Sequence, residues 1–261
     1  MSGEDTITFL QGQLSQDIAA LNVGSSAWTL LLEPNGKVTA WMRATRVGAT
    51  AVTLDTDPGM GAAVVARLER FRMRTRCTFA LSPDEVAVAV RAQGGDELAV
   101  PNGGLPIAWP GMSGYDLLGP SPVLPDGMVA TADGYEVERI GRGIPVSGVD
   151  ITAETIPAEA GAWLIEASVS FTKGCYTGQE LVARVDSRGA NVPRPLRRLL
   201  IDGNDVAPGA EVSTPEGKVV GHVTSAAWSA SEGATVALAP LARSVAVPGP
   251  VVVGGVAATV R

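Results

Sequence analysis

The chain has 261 residues, 46% hydrophobic and 18% charged, which excludes a disordered polyelectrolyte and accommodates one large domain or two smaller ones. Its 31 Gly and 18 Pro favour many short strands and turns over a helical bundle. A formal charge of −7 argues against a general electrostatic grip on nucleic acid or on an anionic membrane.

Residues 2–14 read as an opening helix, with capping-box spacing in Ser2-Gly3-Glu4-Asp5 and with Ile7, Leu10 and Leu14 on one face. The first residues are acidic and lead into no apolar run of the kind that targets a chain for export. An apolar run over 28–32, the turn Glu33-Pro34-Asn35-Gly36 and extended chain over 37–47 make a hairpin. Residues 50–54 add a strand. A helix then runs from Pro58 to about residue 70, with Val64, Val65 and Leu68 inward.

Residues 70–77 alternate strictly, with Arg70, Arg72, Arg74 and Arg76 on one face and Phe71, Met73, Thr75 and Cys77 on the other. That period predicts a strand and makes Cys77 a small apolar residue of its buried face. The arginine face reads as solvated sheet surface, or as a site for a carboxylate tail or RNA phosphate.

Residues 86–91 read as a short strand, 93–125 as loop-rich, and 136–142 as a helix ending before Gly143-Ile144-Pro145. A further helix follows Gly178 to about residue 187, where Gly189 is placed to terminate it. Pro193 and Pro195 mark a boundary between 1–193 and 194–261. Beyond it, Val-rich runs between Gly and Pro turns predict a small antiparallel barrel or sandwich.

One histidine, His222, and two cysteines, Cys77 and Cys175, are too few and too scattered for a zinc site, so no metal site is assigned. His222 lies in the strand-like Val219-Val220-Gly221-His222-Val223, which removes most His-dependent hydrolase readings. The longest apolar stretches fall short of the ~18–20 residues a membrane span requires. Two distant cysteines fit a reducing cytoplasm, which is the expected location.

Reactive residue types concentrate in Lys173-Gly174-Cys175-Tyr176-Thr177-Gly178-Gln179-Glu180. A thiol between a lysine and the start of a helix meets two conditions that favour the thiolate, a nearby cation and the positive end of the helix dipole. Flanking glycines permit a tight, accessible loop, and Thr177, Gln179 and Glu180 offer polar groups to a heterocycle. On its residues alone the segment supports either a reactive thiol or a cysteine buried beside glycine.

The longer run from Phe171-Thr172-Lys173-Gly174-Cys175 to Leu181-Val182-Ala183-Arg184 resembles the signature of the YgfZ family, folate-binding relatives of the glycine-cleavage T-protein. Segments elsewhere agree in order: Phe9 to Ile18, Glu33 to Val38, Arg139 to Pro145, and Gly221-His222-Val223-Thr224-Ser225. Family members begin with an additional strand and helical turn, whereas this chain starts almost at the helix.

The resemblance implies an α+β, three-lobed fold, with two interwoven N-terminal lobes around a central opening and a C-terminal antiparallel β-barrel. It implies tetrahydrofolate as cofactor, and iron–sulfur proteins or assembly factors, including tRNA-modifying enzymes, as partners. It makes Cys175 the catalytic thiol, and Lys173, Gly174, Tyr176, Gly178, Gln179, Glu180 and Arg184 the folate-binding residues. Two departures weaken a full aminomethyltransferase activity. Thr39-Ala40-Trp41 stands where T-proteins carry an acidic pair, and Gly141 where they carry a pterin-binding glutamate, with Glu136 and Glu138 close by. The alternatives are a folate-dependent one-carbon transferase or demethylase, and a tRNA-binding module using the arginine face.

Overall fold

A computed structural model of the protein describes residues 1–82, 86–92, 98–126, 132–187, 189, 191–203 and 206–261. The elements run α1 (Thr6–Gln13), β1 (Ser26–Leu32), β2 (Val38–Gly48), β3 (Ala51–Thr56), α2 (Gly61–Glu69), β4 (Val86–Arg91), β5 (Leu105–Trp109) and β6 (Met112–Gly119). They continue with α3 (Ala132–Arg142), a 3-10 turn Pro157–Ala160, α4 (Ala162–Ser168), α5 (Gln179–Asp186), β7 (Leu196–Ile201), β8 (Glu211–Ser213), β9 (Val219–His222), β10 (Ser225–Ser229), β11 (Ala234–Pro240), β12 (Gly249–Val253) and β13 (Val256–Val260). The architecture is α+β and divides into two units. One comprises Met1–Leu81, Pro145–Leu196 and Pro240–Val245, and the other comprises Ser82–Ile144, Arg197–Ala239 and Ala246–Arg261.

The first unit is built on the expected hairpin. β1 pairs antiparallel with β2, which pairs with β3. Gly36 takes the positive φ of +82° that the turn needs, and a side chain there would collide with Leu181 of α5. Leu10, Leu14, Ile18, Leu31, Met42, Val52, Val64 and Leu68 form one core beneath the sheet. Each such side chain contributes roughly 1.5–3 kcal/mol of hydrophobic stabilisation.

Three expectations for this unit need correction. The opening helix spans only Thr6–Gln13, because Ser2 bridges to Ala51 and Thr78 and so belongs to an extended segment. The Asp5 carboxylate makes no helix cap and accepts instead from the backbone N–H and guanidinium of Arg76. Residues 70–77 form no strand. Arg70 caps α2, the chain then turns, and Arg74 has a φ of +55° that no strand residue adopts. The arginines do not share a face as an anion site: Arg70 pairs with Glu33, Arg72 with Glu69, and Arg76 with Glu4 and Asp5. Cys77 is buried as expected, and burial pushes its thiol above the usual range.

In the second unit, β4, β6 and β5 form a three-stranded antiparallel sheet. The stretch 93–125, read as loop-rich, therefore contains β5 and β6, while residues 93–97 lie outside the described residues. The C-terminal strands make a curled antiparallel sheet in the order β10-β11-β7-β13-β12-β8-β9. His222 ends β9 opposite Glu211, a sheet residue as read from its surroundings. Helix α3 packs on β10, where buried Arg139 donates to Glu136, to the Ile144 carbonyl and to Ser225 Oγ.

A buried cation of α2 bonds directly to the end of the hairpin's first strand. Arg67 is 3% exposed, donates from Nε and Nη2 to the Leu32 carbonyl and from Nη1 to Gln13, and lies 4.0 Å from the Phe71 ring centroid. Arg67→Met keeps the aliphatic volume and strands the Leu32 carbonyl. It should cost about 2–4 kcal/mol in urea unfolding, at unchanged denaturant slope. A cost below about 0.5 kcal/mol would mean that these bonds contribute nothing net.

Candidate functional site

The site is best built from α1 outward. This helix has only eight residues, and its C-cap, Leu14, is extended at φ −101°, ψ 150°, without the left-handed glycine that commonly closes a helix. Its last carbonyls therefore need donors from elsewhere. Lys173 provides them. Its ammonium donates to the carbonyls of Gln11 at 2.6 Å, Leu14 at 2.7 Å and Gln16 at 3.0 Å. The Thr177 N–H donates to the Gly12 carbonyl at 3.0 Å. A cation there also complements the negative end of the helix dipole.

The segment leading into the motif is tied to the same place. Ser15 Oγ donates to the Ser168 carbonyl at 2.6 Å and accepts from the Leu30 N–H at 2.8 Å. The Ser170 N–H donates to the Ser15 carbonyl at 3.0 Å. Beyond the motif, Gly178 turns left-handed at φ +85° and serves as N-cap of α5. A methyl group there would lie 2.6 Å from the Glu33 carbonyl oxygen and 2.8 Å from Leu32 Cβ, so packing as well as conformation requires glycine. Gln179 Oε1 accepts from the Tyr176 N–H at 3.1 Å and closes the turn.

These bonds sort the residues expected to form the site. Lys173, Tyr176, Gly178 and Gln179 are engaged inside the protein. The Lys173 ammonium is held by three carbonyls, 5.1 Å from the Tyr176 ring centroid, and burial draws its pKa down to about 8. Tyr176 is buried, which pushes its phenol up to about 12. Gly174 and Cys175 face outward, Cys175 as a free, exposed thiol three residues before the α5 N-cap. Glu180 and Arg184 are also exposed, four residues apart on α5 and hence on one helix face. Among the described residues no group of three or more His, Cys, Asp or Glu is arranged to hold a metal.

An aromatic cluster that the sequence reading missed lies beside β2. Trp28 stacks on Trp41 with centroids 4.4 Å apart, and Trp163 meets Trp41 edge-on at 5.7 Å. The register supplies a usable signal: Trp41 opposes Leu30, so Trp28 is its diagonal neighbour across the hairpin. The Trp41 indole N–H donates to Ser168 Oγ at 2.9 Å, and its backbone exchanges hydrogen bonds with Ser147 Oγ. In the stretch Thr39-Ala40-Trp41, the tryptophan is thus a buried framework residue. In the second unit Glu136 pairs with Arg139 and Glu138 with Arg142, on α3 itself.

Two comparisons of variants check this division. Lys173→Met leaves three carbonyls without their donor and should cost about 2–4 kcal/mol in chemical unfolding; a neutral result would remove the lysine from the scaffold. Gly178→Ala should cost about 2 kcal/mol or more, through both strain and collision. A methyl on Gly174 meets nothing within 4 Å, so Gly174→Ala should stay within about 0.5 kcal/mol of the parent. Equal losses for the two glycines would contradict the assignment of one inward and one outward position.

Residues 194–259 match the glycine cleavage T-protein C-terminal barrel domain. The tRNA-modifying protein YgfZ of Sodalis glossinidius is 26% identical over 215 residues, covering 73% of this chain and 65% of that protein, just under two thirds of its length. The human iron-sulfur cluster assembly factor IBA57, mitochondrial, is 34% identical over 139 residues, 45% of this chain and 39% of its own. The crystal structure of the glycine cleavage system aminomethyltransferase T from Bartonella henselae superposes with a TM-score of 0.75 at 20% identity, covering 100% of this chain and 81% of that one, a likeness of fold. The motif, the C-terminal sheet and the fold agree: the chain is a relative of the YgfZ proteins, related in turn to the glycine-cleavage T-protein.

Proposed function

We propose that this protein is a tetrahydrofolate-binding accessory factor for the assembly or maintenance of iron–sulfur enzymes, tRNA-modifying ones among them, and that it acts through the thiol of Cys175. The observation that carries the reading is the mounting of that thiol. Cys175 is exposed on a loop whose flanks are fastened by Lys173, Thr177 and Gly178. A pre-positioned, accessible sulfur suits sulfur or iron handling better than a packing role, which burial serves. The names of the YgfZ and IBA57 relatives support the iron–sulfur and tRNA side of the reading.

Iron–sulfur clusters ordinarily take four protein ligands, so one thiolate does not retain a cluster alone. Cys175 therefore works with groups of a partner, as a transient ligand or a sulfur-handling thiol. For the folate, the fit is tested by the donor set that remains open. The ring system of a folate is rich in donors and acceptors and its tail is anionic. Glu180 and Arg184, one carboxylate and one guanidinium on the exposed face of α5, would hold it, and the outward side of Gly174 leaves room for close approach. When bound, the folate supplies one-carbon carrier chemistry.

A transferase is the weaker reading. Aminomethyl transfer needs a carboxylate beside the reacting nitrogen. At the hairpin, Thr39 and the indole of Trp41 occupy that stretch, and the Thr39 hydroxyl donates to Glu33.

Cys175→Ala is the direct test. The variant should fold with an unchanged unfolding midpoint, bind tetrahydrofolate like the parent in a calorimetric titration, and fail to restore an iron–sulfur enzyme in a strain lacking this function. Full complementation by the alanine variant would end the thiol hypothesis. Turnover of a one-carbon donor by the parent in the same titration would favour the transferase.

A further inference from the structure

Within the first unit an apolar groove runs between α5 and the segment formed by α4 and the 3-10 turn before it. Ile165, Phe171, Leu181 and Val185 line it, with the carboxylates of Glu166 and Asp186, and no lysine or arginine is among its lining residues. Phe171 is 55% exposed, a large apolar side chain held out on a segment anchored at Ser170 and Lys173. Neither Glu166 nor Asp186 has an ion-pair partner among the described residues, and both are exposed. An apolar floor, acidic residues with no ion-pair partner among the described residues and an exposed aromatic ring together describe a surface that lacks its partner.

We propose that this groove docks an amphipathic helical segment of a partner protein, apolar along one face and flanked by lysine or arginine. Charge complementarity selects the basic flanks, because Glu166 and Asp186 face the occupant without a cationic partner among the described residues. The walls select a helix. They are helical, so they present no strand edge with which an extended peptide could pair its main chain. The eight residues of α5 span about 12 Å at 1.5 Å per residue, room for roughly two turns with anchors at i, i+3 or i+4, and i+7. Because Phe171 belongs to the run that ends in Cys175, a segment seated here rests on the loop that displays the thiol. In that respect the inference deepens the proposed function, with the docked segment belonging to the iron–sulfur client or assembly factor.

The test uses two fluorescein-labelled peptides of about 14 residues, with leucine at i, i+3, i+4 and i+7 and with lysine or glutamate at every flanking position. Fluorescence anisotropy against the full chain should show the lysine peptide binding about tenfold more tightly than the glutamate peptide. Val185→Asp should abolish most of that binding. The Glu166→Lys/Asp186→Lys double variant, altered only at exposed positions and thus folded, should invert the preference. Equal binding of the two peptides, or an unchanged preference in the double variant, would overturn the proposal. So would displacement of the lysine peptide by equimolar decanoate, which assigns the groove to a small apolar ligand. Self-association in sedimentation that Val185→Asp abolishes would overturn it as well, assigning the face to a second copy. Cys175→Ala should bind the lysine peptide like the parent, so loss of the thiol hypothesis and loss of the docking hypothesis read out separately.

Discussion

The first unit depends on how the carbonyls at the end of α1 find donors. A helix of eight residues lies below the length at which helices persist on their own, and α1 ends in an extended residue with no glycine cap. Its terminal carbonyls are closed by one ammonium from Lys173 and one amide from Thr177, groups more than 150 residues away along the chain. The same contacts decide the shape of the motif loop. The N-terminal helix and the motif thus form one cooperative element, in which neither half has its backbone satisfied without the other.

This coupling changes what the lysine means. Beside a cysteine, a lysine invites the reading that its charge activates the thiol. Here its charge is turned to three carbonyl oxygens, and an ammonium has three N–H donors. Its contribution to the thiol is positional: with Lys173, Thr177 and Gly178 fixed, the intervening backbone has little freedom, and Cys175 is presented to solvent by a braced loop.

The elements legible in the sequence were those with local causes. The Glu33-Pro34-Asn35-Gly36 turn, the helix after Gly178 and the Gly- and Pro-punctuated C-terminal strands each carry their own turn or capping chemistry. The failures share a different cause. The alternation of Arg70 to Cys77 is a genuine pattern with the wrong origin. Carboxylates at Glu4, Asp5, Glu33 and Glu69 draw the arginines in several directions, and α2 continues into the first of them. β5 and β6 carry Pro106 and Gly114, which dilute strand signals, although cross-strand pairing holds both in place. The motif was found by its residue types, but its division into inward and outward groups was not. The acceptors for Lys173 and Thr177 are backbone carbonyls, which leave no mark on residue identity.

Trp41 is joined to the same framework through Ser168. It is 3% exposed, lies between Trp28 and Trp163, and gives its indole N–H to Ser168, whose own carbonyl is held by Ser15. Ser15 lies just past α1, so the tryptophan and the motif loop are tied to one short stretch of chain. A carboxylate at position 41 would be charged among aromatic rings, in an environment that strongly disfavours the ionised form. Ser168 would also lose the donor that this tryptophan provides. Trp41 is therefore part of the framework that braces the thiol loop. Burial of Trp41 at the hairpin and the bracing of the loop that carries Cys175 are consequences of the same packing.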